Sequence, residues 1–185
     1  MDEYPRLRIA GIVHESFVDG PGIRLVVFTQ GCNHHCPGCQ NPQTHDFNGG
    51  RFSDVEEVIA ALDENPLYDG VTFSGGDPMD QAEALVPYAR AIKERGLNLV
   101  IFTGYTYERL MELSASRPGF FELLSFADIL IDGPFIMAKK SLELKFRGSS
   151  NQRIIDVQKS LVEGHVVLHK IQLEEMAEHP DLVPA

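Results

Sequence analysis

The sequence predicts an α/β fold of one kind, a parallel β/α barrel left incomplete. Three observations carry that expectation. Short β-branched apolar runs alternate with amphipathic runs of helical spacing about four times along the 185-residue chain. Such alternation implies parallel strands joined by right-handed helical crossovers. The pattern yields about four or five strand–helix units, fewer than a closed barrel of this type requires. A chain of this length is expected to form a single domain, residues 1–185, and to bury roughly 70% of its unfolded surface.

The elements follow in order. RLVVFTQ, residues 24–30, is β-branched and apolar, and reads as a buried strand running directly into a cysteine-bearing loop. That loop, residues 31–52, is rich in Gly, Asn and His, and loops of such length inside compact domains are usually functional. Ser53-Asp54-Val55-Glu56 sets an N-cap serine ahead of a glutamate, a capping box, before the helical run VEEVIAALDEN that Asn65-Pro66 stops. GVTFS, residues 70–74, is the next strand, followed by a Gly-Gly turn and a helix over about residues 80–95 with Gly96 as its stop. LNLVIFT, residues 97–103, reads as a strand, TYERLMELSAS as a helix, and DILID, residues 128–132, as a further strand. Beyond Phe135 the pattern weakens. Residues 153–157 fit a strand or the start of a helix, and the acidic tail from about 174 to 185 is expected to be frayed. The cysteine loop and the Gly-Gly turn both fall at C-terminal ends of strands, where α/β folds bind ligands.

Charge narrows the range of partners. Against 27 Asp+Glu there are 16 Lys+Arg, a formal net charge of −11. That sign argues against a nucleic-acid backbone or an anionic membrane as the main partner, since both select basic patches. The N-terminal stretch MDEYPRLRIAG begins acidic and has no long apolar segment, and no apolar run approaches a membrane span. A cytoplasmic protein is expected.

All three cysteines, Cys32, Cys36 and Cys39, fall within GCNHHCPGC. An odd cluster of this kind cannot build a disulfide framework, and in a reducing compartment it more often binds metal or does chemistry. A structural zinc site needs a fourth ligand, which His34, His35 or His45 would supply. Cysteines acting as small apolar residues fit poorly in a loop of Gly, His and Asn, and no thioredoxin-like pattern surrounds the C-x-x-C. The other reading is an iron–sulfur cluster. Electron-transfer clusters are held by four cysteines, so three leave one iron without a protein ligand, and an open position marks a reactive metal.

VTFSGGDP has two readings as well. Asp77 suits an N-cap, Pro78 the first helical position and the glycines a turn, while the same glycines would let backbone approach a ligand. Asp19-Gly20-Pro21-Gly22 and residues 147–153 read, by themselves, as polar turns.

Together, C-x3-C-x2-C after the first strand, DGPGIR (19–24), SGGDP (74–78), FTGYTYE (102–108), IDGPF (131–135) and RGSSNQRIID (147–156) resemble the radical S-adenosylmethionine enzymes, in their glycyl-radical-activating branch. CPGC, IDGPF and RGSSNQRIID are similar to those members that act on anaerobic ribonucleoside-triphosphate reductase. The resemblance implies the partial barrel of that superfamily and one 4Fe-4S cluster on Cys32, Cys36 and Cys39, its fourth iron open to the amino and carboxylate groups of S-adenosylmethionine. It assigns contacts with S-adenosylmethionine to Gly38 and Gln40, and the methionine amino group to Gly75, Gly76 and Asp77. His34 and His35 would merely surround the cluster. Two departures stand out: Gly38 replaces an aromatic that many relatives use against the adenine, and Asp77 replaces the glutamate common in the superfamily.

The implied chemistry is reductive cleavage of S-adenosylmethionine to a 5′-deoxyadenosyl radical, which takes a hydrogen from a glycine Cα in the partner reductase. The electron would come from a low-potential donor such as flavodoxin, and no side-chain acid or base is required. DGPG and residues 147–153 would meet the partner or substrate. Alternatives are activation of another glycyl-radical enzyme, radical chemistry on a small molecule, or a zinc-stabilised binding module without catalysis.

Overall fold

A computed structural model describes residues 4–180. Seven strands form one sheet: β1 (Leu7–Ser16), β2 (Arg24–Thr29), β3 (Arg51–Ser53), β4 (Gly70–Gly75), β5 (Asn98–Phe102), β6 (Ile129–Asp132) and β7 (Arg153–Asp156), in the order β3-β1-β2-β4-β5-β6-β7. The middle four, β2, β4, β5 and β6, are mutually parallel, while β1, β3 and β7 pair antiparallel at the two ends. The sheet is open, as the incomplete barrel required. Antiparallel strands at both ends were not expected, because only parallel units were read in the sequence.

The α-helices among the described residues are α1 (Val55–Asp63), α2 (Ala82–Glu94), α3 (Tyr107–Leu113), α4 (Pro118–Phe126), α5 (Val157–Glu163) and α6 (Lys170–Glu178). Successive strand residues face opposite sides, so a strand buried on both faces is apolar throughout. Leu25, Val27, Val71, Phe73, Leu99, Ile101 and Leu130 join the large core with the helices. Val100, Ile129, Ile131 and Ile154 form a second, smaller core with Phe102, Phe146 and Ile171. Among the described residues no helix is long and apolar enough to cross a membrane.

Several local expectations shift. The N-cap of α1 is Asp54, whose carboxylate accepts from the Glu57 amide at 3.0 Å, while Ser53 donates its hydroxyl to the Glu57 carboxylate at 2.7 Å. The N-cap thus lies one residue later than expected, and the glutamate that answers it is Glu57, bonded to the Ser53 hydroxyl. The loop expected over 31–52 yields its last two residues to β3. Residues 153–157 contain both predicted alternatives: β7 ends at Asp156, whose side chain caps α5 through the Lys159 amide at 3.1 Å.

The largest correction concerns the tail. Residues 174–178, expected to be frayed, belong to α6, and residues 181–185 lie outside the described part. The helix is held by buried polar anchors on an otherwise acidic surface. Gln172 Oε1 accepts from the Ile154 amide at 2.6 Å, and Glu175 Oε1 accepts from the Lys145 amide at 2.5 Å. Glu175 also pairs with Arg147, both side chains 1% exposed.

A buried pair stripped of one partner leaves an uncompensated charge. Glu175→Ala is therefore expected to lose about 3–5 kcal/mol of unfolding free energy in urea. The double variant Arg147→Met/Glu175→Leu, which removes both charges, is expected to recover most of that loss.

Candidate functional site

The cysteine loop leaves the C-terminal end of β2 and is tied down at its start by backbone. Gly31 N donates to Thr44 O at 2.7 Å, and Cys32 N to His45 O at 3.2 Å. Two thiols receive backbone donors, His34 N to Cys32 Sγ and Asn41 N to Cys39 Sγ, each at 3.4 Å. Donors aimed at sulfur stabilise thiolate character, which suits ligation of a metal or cluster. Burial pushes the Cys32 thiol up to about 11, so cluster binding would have to displace its proton. No disulfide joins the three. Among the described residues no three His, Cys, Asp or Glu side chains are gathered as they would be around a single metal ion. Three free cysteines on one loop, two of them with a backbone donor on sulfur, are the donor set that would hold a 4Fe-4S cluster.

Facing the loop is the Gly-Gly-Asp turn at the end of β4. Asp77 acts as the N-cap expected of it, accepting from Met79 N at 2.9 Å ahead of a 3-10 turn over Pro78–Gln81. Its carboxylate does much more. Thr103 Oγ1 donates to both oxygens at 2.9 Å, and Gly104 N donates to Oδ2 at 2.8 Å. His34 Nε2 lies 2.8 Å from Oδ2, close but off the axis of a linear N–H···O bond. Asp77 holds the His34 imidazole above its ordinary pKa, against the opposing effect of burial. With 1% of its side chain exposed, Asp77 has its acceptor sites taken up by the protein. Loops following β2, β4 and β5 therefore meet on one carboxylate.

Two glycines make that meeting possible. A Cβ on Gly76 would collide with the carbonyl of Gly31, the group to which Asp77 N donates at 2.8 Å. A Cβ on Gly104 would lie 2.5 Å from the His34 ring. His34 also meets Tyr105 edge-on, ring centroids 4.5 Å apart, and Tyr105 donates its hydroxyl to Asp80 Oδ1 at 2.8 Å.

A cavity of about 560 Å³ is lined by Cys39, Gln40, Ser74, Phe102, Phe135 and Gln152, with Phe17, Val18 and Asp19 also bordering it. Its volume falls in the range of about 300–1,000 Å³ usual for small-molecule sites. Gly38 sits beside Met137 and Phe135, and a Cβ there would collide with the Met137 side chain. Cys32, Cys36, Gly75, Gly76 and Asp77 are not part of the lining. Thus Cys39 and Gln40 open on the cavity, whereas the Asp77 carboxylate turns into the protein.

The remaining motifs have structural work beside it. Arg24 of DGPGIR is fully buried and donates to Thr72 Oγ1 at 2.7 Å, Pro21 O at 2.9 Å and Val71 O at 2.7 Å, and burial pulls its pKa down to about 10. In RGSSNQR, Gln152 Oε1 accepts from the Gly148 and Ser149 amides, and its Nε2 donates to Gly133 O at 3.0 Å, stitching that turn to IDGPF. Sequence reasoning set His34 aside as a bystander and gave no role to Thr103, Tyr105 or Asp80. The signal for them was FTGYTYE, a polar turn at a strand end whose partners lie in other loops.

Comparison with known proteins bears on the same residues. The family model of the 4Fe-4S single cluster domain matches residues 18–155. An anaerobic ribonucleoside-triphosphate reductase-activating protein of Salmonella typhi is 36% identical over 145 residues, covering 73% of this chain and 89% of that one. The protein of the same name from Enterobacteria phage T4 is 34% identical over 149 residues, covering 75% and 86%. A pyruvate formate-lyase-activating enzyme of Clostridium pasteurianum is 42% identical over 112 residues, covering 57% of this chain and 47% of that one. Among solved structures, QueE from Escherichia coli aligns over 55% of this chain and 54% of that one, with a TM-score of 0.46 and 16% identity. With the cysteine spacing, the family match and these relatives in agreement, the chain belongs to the 4Fe-4S single cluster domain family, in the radical S-adenosylmethionine group of activating enzymes.

Proposed function

We propose that this chain generates the glycyl radical of an anaerobic (class III) ribonucleoside-triphosphate reductase, using one 4Fe-4S cluster on Cys32, Cys36 and Cys39 with S-adenosylmethionine at the fourth iron. One observation carries the reading: a loop with three thiols and no fourth, whose last cysteine lines a cavity of cosubstrate size. When bound, the cluster and S-adenosylmethionine supply reductive cleavage of a sulfur–carbon bond and, through it, hydrogen abstraction.

The residues of the chain bind, orient and exclude water. Gln40 and the backbone of Gly38 stand beside the last thiol, where the methionine and adenine portions would be gripped. Gly75 and Gly76 bring backbone to the end of β4, and their carbonyls are suited to an ammonium group. Asp77 holds that turn through its buried carboxylate and leaves the direct contact to backbone. Phe102 and Phe135 give the cavity an apolar wall, which protects a reactive intermediate from water. Phe17, Val18 and the 90% exposed Leu142 border the same cavity, and an exposed apolar rim fits entry of a glycine-bearing segment of a protein partner. The electron is supplied from outside, by a low-potential donor such as flavodoxin. A second reading, activation of another glycyl-radical enzyme, is favoured by the similarity to the Clostridium activating enzyme.

Anaerobically reconstituted protein with reductant and S-adenosylmethionine is expected to release 5′-deoxyadenosine. It is also expected to place a glycyl radical, read by electron paramagnetic resonance, on the reductase and not on pyruvate formate-lyase. Unaltered turnover in Cys36→Ala would sink the proposal, and a signal on the lyase alone would favour the second reading. Asp77→Asn sets an N–H against a donor whichever way the amide turns. It is expected to cost about 1–3 kcal/mol in urea denaturation.

A further inference from the structure

His34 lies between Cys32 and Cys36, and while its backbone amide donates to Cys32 Sγ, its side-chain contacts lead away from the thiols. Its Nε2 reaches Asp77 Oδ2 at 2.8 Å, and its ring stands edge-on to Tyr105 in space that Gly104 leaves open. The neighbouring residue adds a second tie: Asn33 N donates to Asp80 Oδ2 at 3.1 Å, while the other Asp80 oxygen accepts from the Tyr105 hydroxyl. Two consecutive residues of the cysteine loop are therefore fastened to the turn after β4 and the turn after β5. Next to them His35 has φ +47, a left-handed backbone in a non-glycine residue. Such a conformation persists where the surroundings over-determine it. Here it stands between His34, close to Asp77, and the thiol-bearing Cys36.

We infer that His34 is a positioning residue for cosubstrate binding: it latches the cysteine loop to the Gly-Gly-Asp and Thr-Gly-Tyr turns, so that the thiols and the backbone of Gly75 and Gly76 present themselves to one ligand. The inference rests on the radical S-adenosylmethionine reading of the site. None of the latch contacts occupies a thiol, so the latch governs where the cosubstrate sits and not whether the cluster assembles. It also explains the short acid of this chain. A glutamate in place of Asp77 would need the space that the His34 ring and Thr103 fill. Small misplacements of binding groups are costly in such sites, and the loss of an outer partner of a metal ligand typically weakens affinity or activity about tenfold or more.

The test measures S-adenosylmethionine binding to the reconstituted protein by equilibrium dialysis and by the change it causes in the electron paramagnetic resonance spectrum of the reduced cluster. His34→Phe keeps the ring volume against Tyr105 and removes Nε2. It is expected to raise the dissociation constant about tenfold, with iron and sulfide content unchanged and the spectral change shifted to higher cosubstrate concentration. His34→Gln, whose amide nitrogen can reach Asp77, is expected to recover most of the affinity. Tyr105→Phe, which loses only the bond to Asp80, is expected to weaken binding to a smaller degree and serves if His34→Phe does not fold. Wild-type affinity in both His34→Phe and Tyr105→Phe overturns the latch, as does loss of iron from His34→Phe and His34→Gln alike. A wild-type chain that takes up no iron and sulfide overturns the underlying reading as well, which separates the two failures.

Discussion

The buried carboxylate of Asp77 is the point on which the site is assembled. A charge withdrawn from water must be met by donors, and here they arrive from Met79 in its own loop and from Thr103 and Gly104 after β5, with His34 of the cysteine loop alongside. Satisfying one side chain therefore fixes the relative placement of three loops that are remote in sequence. The sheet makes this possible by bringing the C-terminal ends of β2, β4 and β5 side by side in parallel register. Glycine at positions 76 and 104 then allows backbone and imidazole to close in.

Seen from this carboxylate, the division of labour in the sheet is clear. Residues on one face of the strands join the helices in the main core, and those on the other form the smaller core next to the cavity. The open edge at β7 is what leaves that second face available, since a closed barrel would have filled it with side chains. Phe102 belongs to both the small core and the cavity wall, so packing of the sheet and shape of the site are one problem.

Much of this was legible in the sequence, for reasons that differ between elements. β2, β4, β5 and β6 are continuous β-branched runs because both of their faces are buried, and such runs are visible without any partner. β1 was missed because its LRIAGIVHES is half-exposed and bulged on either side of its central pairs, which erases the alternation. The second half of α6, from Glu174, was read as part of a frayed tail because the helix's buried face is built on Gln172 and Glu175, polar residues whose burial depends on Arg147 and Ile154 elsewhere. The same limit applies at the site. The cysteines are a local pattern and were found, whereas the significance of His34 depends on an acid 43 positions later and appears only when the loops are brought together.

The pairing of Arg147 with Glu175 carries a consequence for how the protein is made. Synthesis proceeds from the N-terminus, so the cysteine loop, Asp77 and the Thr103 turn all leave the ribosome before the C-terminal helix does. Until Glu175 is added, Arg147 at the cavity wall lacks the counter-charge on which its burial depends. The part of the cavity wall that holds Arg147 is thus completed only once the last helix has been made.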